Sequence, residues 1–153
     1  MFRGVHTGNV DDKGRLKLPA SVKRRLKDLY SQLDIFVTSL DGETVKVFPI
    51  REWELVEDRL ADKSKSSDQA QTGAVKNRIL FQANRFGAEE TLDGQGRLLV
   101  PSALRESADM KGAVKIQWQS NHMLVMSEAR YNDAAEQNML TSDDLAHAAD
   151  LGL

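Results

Sequence analysis

There is no cysteine in this chain of 153 residues, so disulfides and thiolate metal ligands are excluded, and a reducing cytosol fits. No apolar run approaches the roughly 20 residues that span a bilayer, and the N-terminus has no hydrophobic segment of the signal-peptide kind. A soluble, cytoplasmic protein with no membrane partner is expected. Histidine is scarce too: His6, His122 and His147 are scattered, none spaced i, i+4 from another or set beside a carboxylate pair, so no metal site is expected. Asp11-Asp12 and Asp143-Asp144 suit turns and helix caps better than Mg²⁺ coordination. Gly94-Gln95-Gly96 lacks the further Gly and the long helix of a dinucleotide loop. With no Ser–His–Asp set and no carboxylate pair arranged for acid–base work, neither an enzyme nor a cofactor is expected.

What the chain does have is a copy of itself. Val10-Asp11-Asp12-Lys13-Gly14-Arg15-Leu16-Lys17-Leu18-Pro19 returns as Leu92-Asp93-Gly94-Gln95-Gly96-Arg97-Leu98-Leu99-Val100-Pro101. A single shift of 82 residues superposes Asp11 on Asp93, Gly14 on Gly96, Arg15 on Arg97, Leu16 on Leu98 and Pro19 on Pro101. In each copy the Asp can bond the backbone ahead of it and the Gly can take the positive φ that closes a tight turn. The alternating Leu16-Lys17-Leu18 and Leu98-Leu99-Val100 then predict short strands, and Pro19 and Pro101 begin helices where a missing N–H costs nothing. A duplication in a chain this short favours two units sharing one core.

The remaining elements follow from periodicity. Residues 1–9 are expected to form a first edge strand or arm. Val22, Leu26 and Leu29 make an inward stripe on the helix after Pro19. Ile35–Leu40 and Glu43–Phe48 flank Asp41-Gly42, the signal for a two-residue hairpin, echoed by Val114–Trp118 and His122–Met126 around Ser120-Asn121. Pro49 opens a helix with Trp53, Val56 and Leu60 inward, and 63–68 is a polar linker. A helix over 69–86 buries Val75, Ile79, Ala83 and Phe86. Another runs over 128–139, and Ser142-Asp143-Asp144 caps a last short one unless the tail is disordered.

Charge separates the two copies. The formal net charge is −2, yet residues 10–30 hold seven basic side chains (Lys13, Arg15, Lys17, Lys23, Arg24, Arg25, Lys27) against three acids, a surplus of four. The matching window 92–112 balances three against three. Beyond Arg130 the formally charged residues are all acidic: Asp133, Glu136, Asp143, Asp144 and Asp150. The copies share a scaffold but not a surface, and the basic end is the place to look for a polyanion.

Met1-Phe2-Arg3-Gly4, the turn Asp11-Asp12-Lys13-Gly14-Arg15, the repeat Asp93-Gly94-Gln95-Gly96-Arg97 and the run Asn77-Arg78-Ile79-Leu80-Phe81-Gln82-Ala83 together resemble the MraZ family, bacterial regulators of the division and cell-wall gene cluster. The resemblance covers residues 1–131; the tail 132–153 carries no pattern that matches it. It implies an α+β chain with two tandem AbrB-like β-barrel domains of swapped-hairpin type, packed as a pseudo-twofold pair with short flanking helices. It also implies a ring-shaped, octamer-like homo-oligomer on promoter DNA with repeated elements, at the nucleoid of the cytoplasm. The domain reading is 1–62 as the DNA-binding copy, 63–86 as linker and helix, 87–131 as the second copy, and 132–153 as an acidic tail, helical or disordered.

On this reading the chain is a repressor that contacts DNA through Arg15, Lys13, Arg3, Lys17, Lys23 and Arg24, with Asp11, Gly14, Asp93, Gly96 and Arg97 building the two turns. Each residue also has a plainer role: Arg15 as the partner of Asp11, the lysines as a solvated face, and Arg97 as structural because its setting is neutral. Trp53 and Trp118 lie on apolar stripes and are assigned to the core. The competing class is an antitoxin-like interaction module whose acidic tail holds a basic partner.

Overall fold

The computed structural model describes residues 3–62 and 69–153; the expected linker 63–68 lies outside the described residues, as do Met1 and Phe2. Eight strands and six helices follow one another as β1 (Val5–Val10), β2 (Arg15–Lys17), α1 (Ala20–Tyr30), β3 (Asp34–Thr38), β4 (Val45–Pro49), α2 (Ile50–Ala61), α3 (Gln69–Arg85), β5 (Ala88–Thr91), β6 (Arg97–Leu99), α4 (Ser102–Ser107), β7 (Gly112–Gln119), β8 (His122–Ser127), α5 (Glu128–Gln137) and α6 (Ser142–Asp150). The strands form one antiparallel sheet in the order β5-β3-β4-β8-β7-β1-β2-β6. Its two end strands, β5 and β6, come together again, so the sheet nearly closes into a barrel. The class is α+β with an AbrB-like barrel, as the resemblance implied.

The two copies are interleaved. β1 pairs with β7, β2 with β6, β3 with β5 and β4 with β8, so each half supplies the other's missing neighbours. The register obeys a pseudo-twofold: His6 faces Ile116, and their repeat equivalents Ala88 and Val37 also face each other. Leu16 faces Leu98, its own equivalent, which places the axis between them. The exchange extends to the loops, where Leu18 N–H donates to the Gly96 carbonyl at 2.9 Å and Val100 N–H to the Gly14 carbonyl at 2.8 Å.

Strand alternation explains the core. Leu16 and Leu98 point in and are buried, with Leu18, Val22 and Leu26 from the first copy and Val100, Leu104 and Ala108 at the same repeat positions of the second. Each such leucine contributes roughly 1.5–3 kcal/mol of burial. A smaller cluster of Phe36, Phe48, Trp53 and Ala83 seats α2 and α3 on β3 and β4, with the Phe36 and Trp53 rings stacked at 4.5 Å.

Several expectations change. β1 is an interior strand, because β7 from the distant half covers the edge left open in the local sequence. Leu29 is 51% and Val75 39% exposed, since the last turn of α1 and the start of α3 lie outside the packed area. The Asp41-Gly42 turn is a six-residue loop, 39–44, between β3 and β4. Asp41 Oδ1 accepts the Glu43 and Thr44 amides, each at 2.9 Å, and the Ser39 hydroxyl accepts the Gly42 amide while donating to the Thr44 carbonyl. These side-chain bonds satisfy the loop backbone without strand pairing. The Ser120-Asn121 turn does have two residues, Gln119 facing His122 across it and Ser120 at φ 60°. The tail is helical as α6, capped by Thr141 rather than Ser142, through a reciprocal capping box with Asp144.

Candidate nucleic-acid interface

Each repeat turn is built around one carboxylate. Asp11 Oδ1 accepts the amides of Lys13 at 2.9 Å and Arg15 at 3.0 Å, while Oδ2 accepts Arg15 Nε at 2.8 Å. Asp93 does the same with Gln95, Arg97 and Arg97 Nε at 2.9, 2.9 and 2.7 Å. Gly14 and Gly96 close the turns at φ 79° and 75°, and each amide donates back to its Asp carbonyl. The amide and then the guanidinium of Arg97 hold the Asp93 carboxyl down at about 2. Asp11 is lowered likewise, first by the Arg15 amide.

These bonds orient the arginines without burying them. The side chains of Arg15 and Arg97 remain 37% and 29% exposed while Nε is held by the aspartate. The turn-partner role and an outward-facing role therefore coexist in Arg15.

The pairing of β2 with β6 then brings the two copies into one surface. Lys17 faces Arg97 and Arg15 faces Leu99, and with Leu16 and Leu98 inward all four lie on the outer side of the ribbon. Arg15, Lys17 and Arg97 line a single open groove of about 870 Å³, whose other wall is β1, with His6, Thr7 and Asn9. Lys115 stands behind that wall, its Nζ donating to the Thr7 hydroxyl at 3.1 Å.

The other sequence candidates disperse. Lys13 is exposed in the turn and Arg24 on α1, but neither lines the groove. Lys23 crosses to the second copy, where its Nζ donates to the Gly94 carbonyl and its stem lies over Gly96. Arg3 is exposed just before β1, roughly 26 Å of extended chain from Asp11.

Conversely, Arg97, Thr7 and Asn9 line the groove, with Lys115 behind Thr7, although local charge did not flag them. For Arg97 the repeated Asp-x-x-x-Arg spacing was the available signal. For the β1 and β7 residues there was none, because only long-range strand pairing puts them there.

Comparison with known proteins finds relatives along the whole chain. A family model described as "MraZ protein, putative antitoxin-like" matches residues 87–151. The chain is 37% identical over 153 residues to the "Transcriptional regulator MraZ" of Acidobacterium capsulatum and 34% identical to that of Koribacter versatilis, in both cases across the whole of each chain. It is 30% identical over 148 residues to the Shewanella pealeana protein of the same name, covering 95% of this chain and 93% of that one. The matches run through α5 and α6, so the likeness extends beyond residue 131, where the sequence reading had ended it. Full-length relatives at these identities place the chain in the MraZ family of transcriptional regulators.

Proposed function

We propose that the chain is a sequence-specific DNA-binding repressor of a division and cell-wall gene cluster, acting at the nucleoid as a ring-shaped homo-oligomer on repeated promoter elements. In this reading 1–62 is the DNA-binding copy, 87–131 its pseudo-twofold partner and 132–153 an acidic tail. The observation that carries it is the gathering of Arg15, Lys17 and Arg97 on the outer face of the β2–β6 ribbon. Arginine held by a carboxylate at Nε keeps its planar terminal nitrogens aligned for phosphate or a base edge, and paired cations on adjacent strands suit a duplex backbone. Lys13 and Arg24 widen the positive surface, whereas Lys23 serves the second turn.

Three or four such cations make a weak, salt-sensitive contact in one protomer. A ring changes that, because once one subunit is seated its neighbours meet adjacent repeats at high effective concentration.

Arg15→Ala tests the reading. It removes the contact while Asp11 still holds the Lys13 and Arg15 amides, so binding to the upstream duplex should vanish while the melting curve stays nearly unchanged. Retained binding would refute the role of Arg15, and an affinity that ignores added salt would refute a phosphate-contacting face.

The second reading, capture of a basic protein, draws on α6, whose acids stand beside exposed Leu145 and, at its C-cap, exposed Leu151. Deleting 132–153 separates the readings: tighter DNA binding means self-masking, and loss of a co-purifying protein means partner capture.

A further inference from the structure

The pseudo-twofold gives the ribbon two equivalent flanks, one against β1 and one against β5, and their chemistry is opposite. On the β1 flank the exposed polar positions are Thr7 and Asn9, with Lys115 facing Thr7 and Ala113 facing Asn9 across the sheet. The equivalent positions on the other flank are Glu89 and Thr91, facing Phe36 and Asp34. Asp34 accepts the Thr91 hydroxyl at 2.5 Å, and Glu90 stands where the first copy has Gly8. The ribbon is itself unequal, since Lys17 has Leu99 as its counterpart. One flank therefore offers an ammonium group and neutral hydrogen-bonding side chains; the other offers two carboxylates, Glu89 and Asp34.

Granting the DNA-binding reading above, we infer that the duplex is engaged on the β1 flank only, with Asn9 reading a base edge and Glu89, beside Asp34, closing the equivalent flank to nucleic acid. Asn9 lines the groove beside Arg15 and Lys17, and among the described residues no hydrogen bond ties up its amide. A free carboxamide in that position presents one donor and one acceptor side by side, the pairing that matches the N6 and N7 edge of adenine. Arg15, Lys17 and Arg97 supply the phosphate contacts that set register, and Asn9 supplies the choice among sequences. Gly8, between Thr7 and Asn9, faces the core, where a Cβ would sit 2.9 Å from Ile116 and 3.0 Å from Leu16, so Thr7 and Asn9 are the side chains that this stretch turns outward. Carboxylates on the second flank repel a polyanion that tried to enter in the reversed orientation, so the nearly symmetric barrel gains a single polarity on DNA.

The test is a fluorescence anisotropy titration of the full-length protein against two labelled duplexes, its own upstream DNA and a scrambled duplex of equal length, with melting curves as folding controls. Asn9→Ala should reduce the preference for the upstream duplex about tenfold or more, by weakening the upstream complex more than the scrambled one. Asn9→Asp, which keeps the shape, should weaken both. Glu89→Thr should tighten both by admitting DNA to the second flank. An Asn9→Ala protein with undiminished preference, or a Glu89→Thr protein with unaltered affinity, would overturn the inference. If Arg15→Ala abolishes binding in the same assay while those variants behave as wild type, one-sided reading alone is wrong. If Arg15→Ala binds as wild type does, the DNA-binding reading falls with it.

Discussion

Gly14 and Gly94 sit in equivalent turns yet tolerate substitution differently. Gly14 has φ 79°, and a Cβ on it would meet the Arg105 side chain at 2.5 Å; around Gly94 nothing lies within 4 Å. Gly14→Ala should therefore cost about 1–2 kcal/mol from the left-handed backbone alone. Gly94→Ala should stay within about 0.5 kcal/mol of wild type. Urea melts of the two variants check both values. Another single-residue effect concerns His122, half-buried against Phe48 with ring centroids 4.4 Å apart and Nε2 unpartnered. Burial first, and Lys46 second, pull its pKa from 6.5 to about 4. Because the unfolded chain binds the proton more readily, the stability tied to neutral His122 is complete above about pH 6.5 and falls as pH drops towards 4. Denaturant midpoints between pH 7.5 and 4.5 should show that decline, by no more than about 2 kcal/mol after allowance for the ring's partial exposure. In His122→Phe the slope in this window should flatten.

Between elements, one carboxylate ties three pieces together. Glu52 on α2 accepts the Tyr30 hydroxyl of α1 at 2.9 Å and the Asn121 amide of the β7–β8 turn at 2.9 Å. Desolvation, then the bond to Glu52, pushes the Tyr30 hydroxyl up to about 12. Glu52→Ala should lower stability by about 1–3 kcal/mol, since it leaves two half-buried donors without their acceptor. Glu52→Gln should lose less, a comparison read from melting temperatures. The strand pair β2–β6 gives a sharper test. Leu16 and Leu98 face each other across the axis, so their two alanine substitutions share one cavity. The Leu16→Ala, Leu98→Ala double variant should depart from additivity by about 0.5 kcal/mol or more. Element placement was legible wherever spacing alone decides it: α1 begins after Pro19, α2 after Pro49, and Trp53 points inward. It failed at Leu29 and Val75, because an apolar stripe records which side of a helix can be buried and not how far the neighbouring surface reaches.

For the molecule as a whole, no half can complete its own sheet. Separated before and after the 63–68 segment, each fragment would lack four of the neighbour pairings that close the barrel, namely those of β1 with β7, β2 with β6, β3 with β5 and β4 with β8. Each fragment alone should therefore be unfolded or self-associated, never a folded monomer, and mixing the two in equal amounts should restore native circular dichroism. A folded, monomeric N-terminal fragment in sedimentation would contradict the exchange. The duplicated turn, the strand that follows it and the inward leucines were readable in the chain itself, because Asp, Gly and Pro act on backbone within a few residues and strand alternation repeats every second one. The likeness to its family was readable for the same reason. What only the tertiary structure decided was the company each strand keeps: that Arg97 joins Arg15 and Lys17, that Lys23 turns away to Gly94, and that Asn9 faces the groove while Glu89 lies on the opposite flank of the ribbon. Those outcomes depend on hydrogen bonds between residues some 50 to 110 positions apart, and local composition carries no record of pairing at that range.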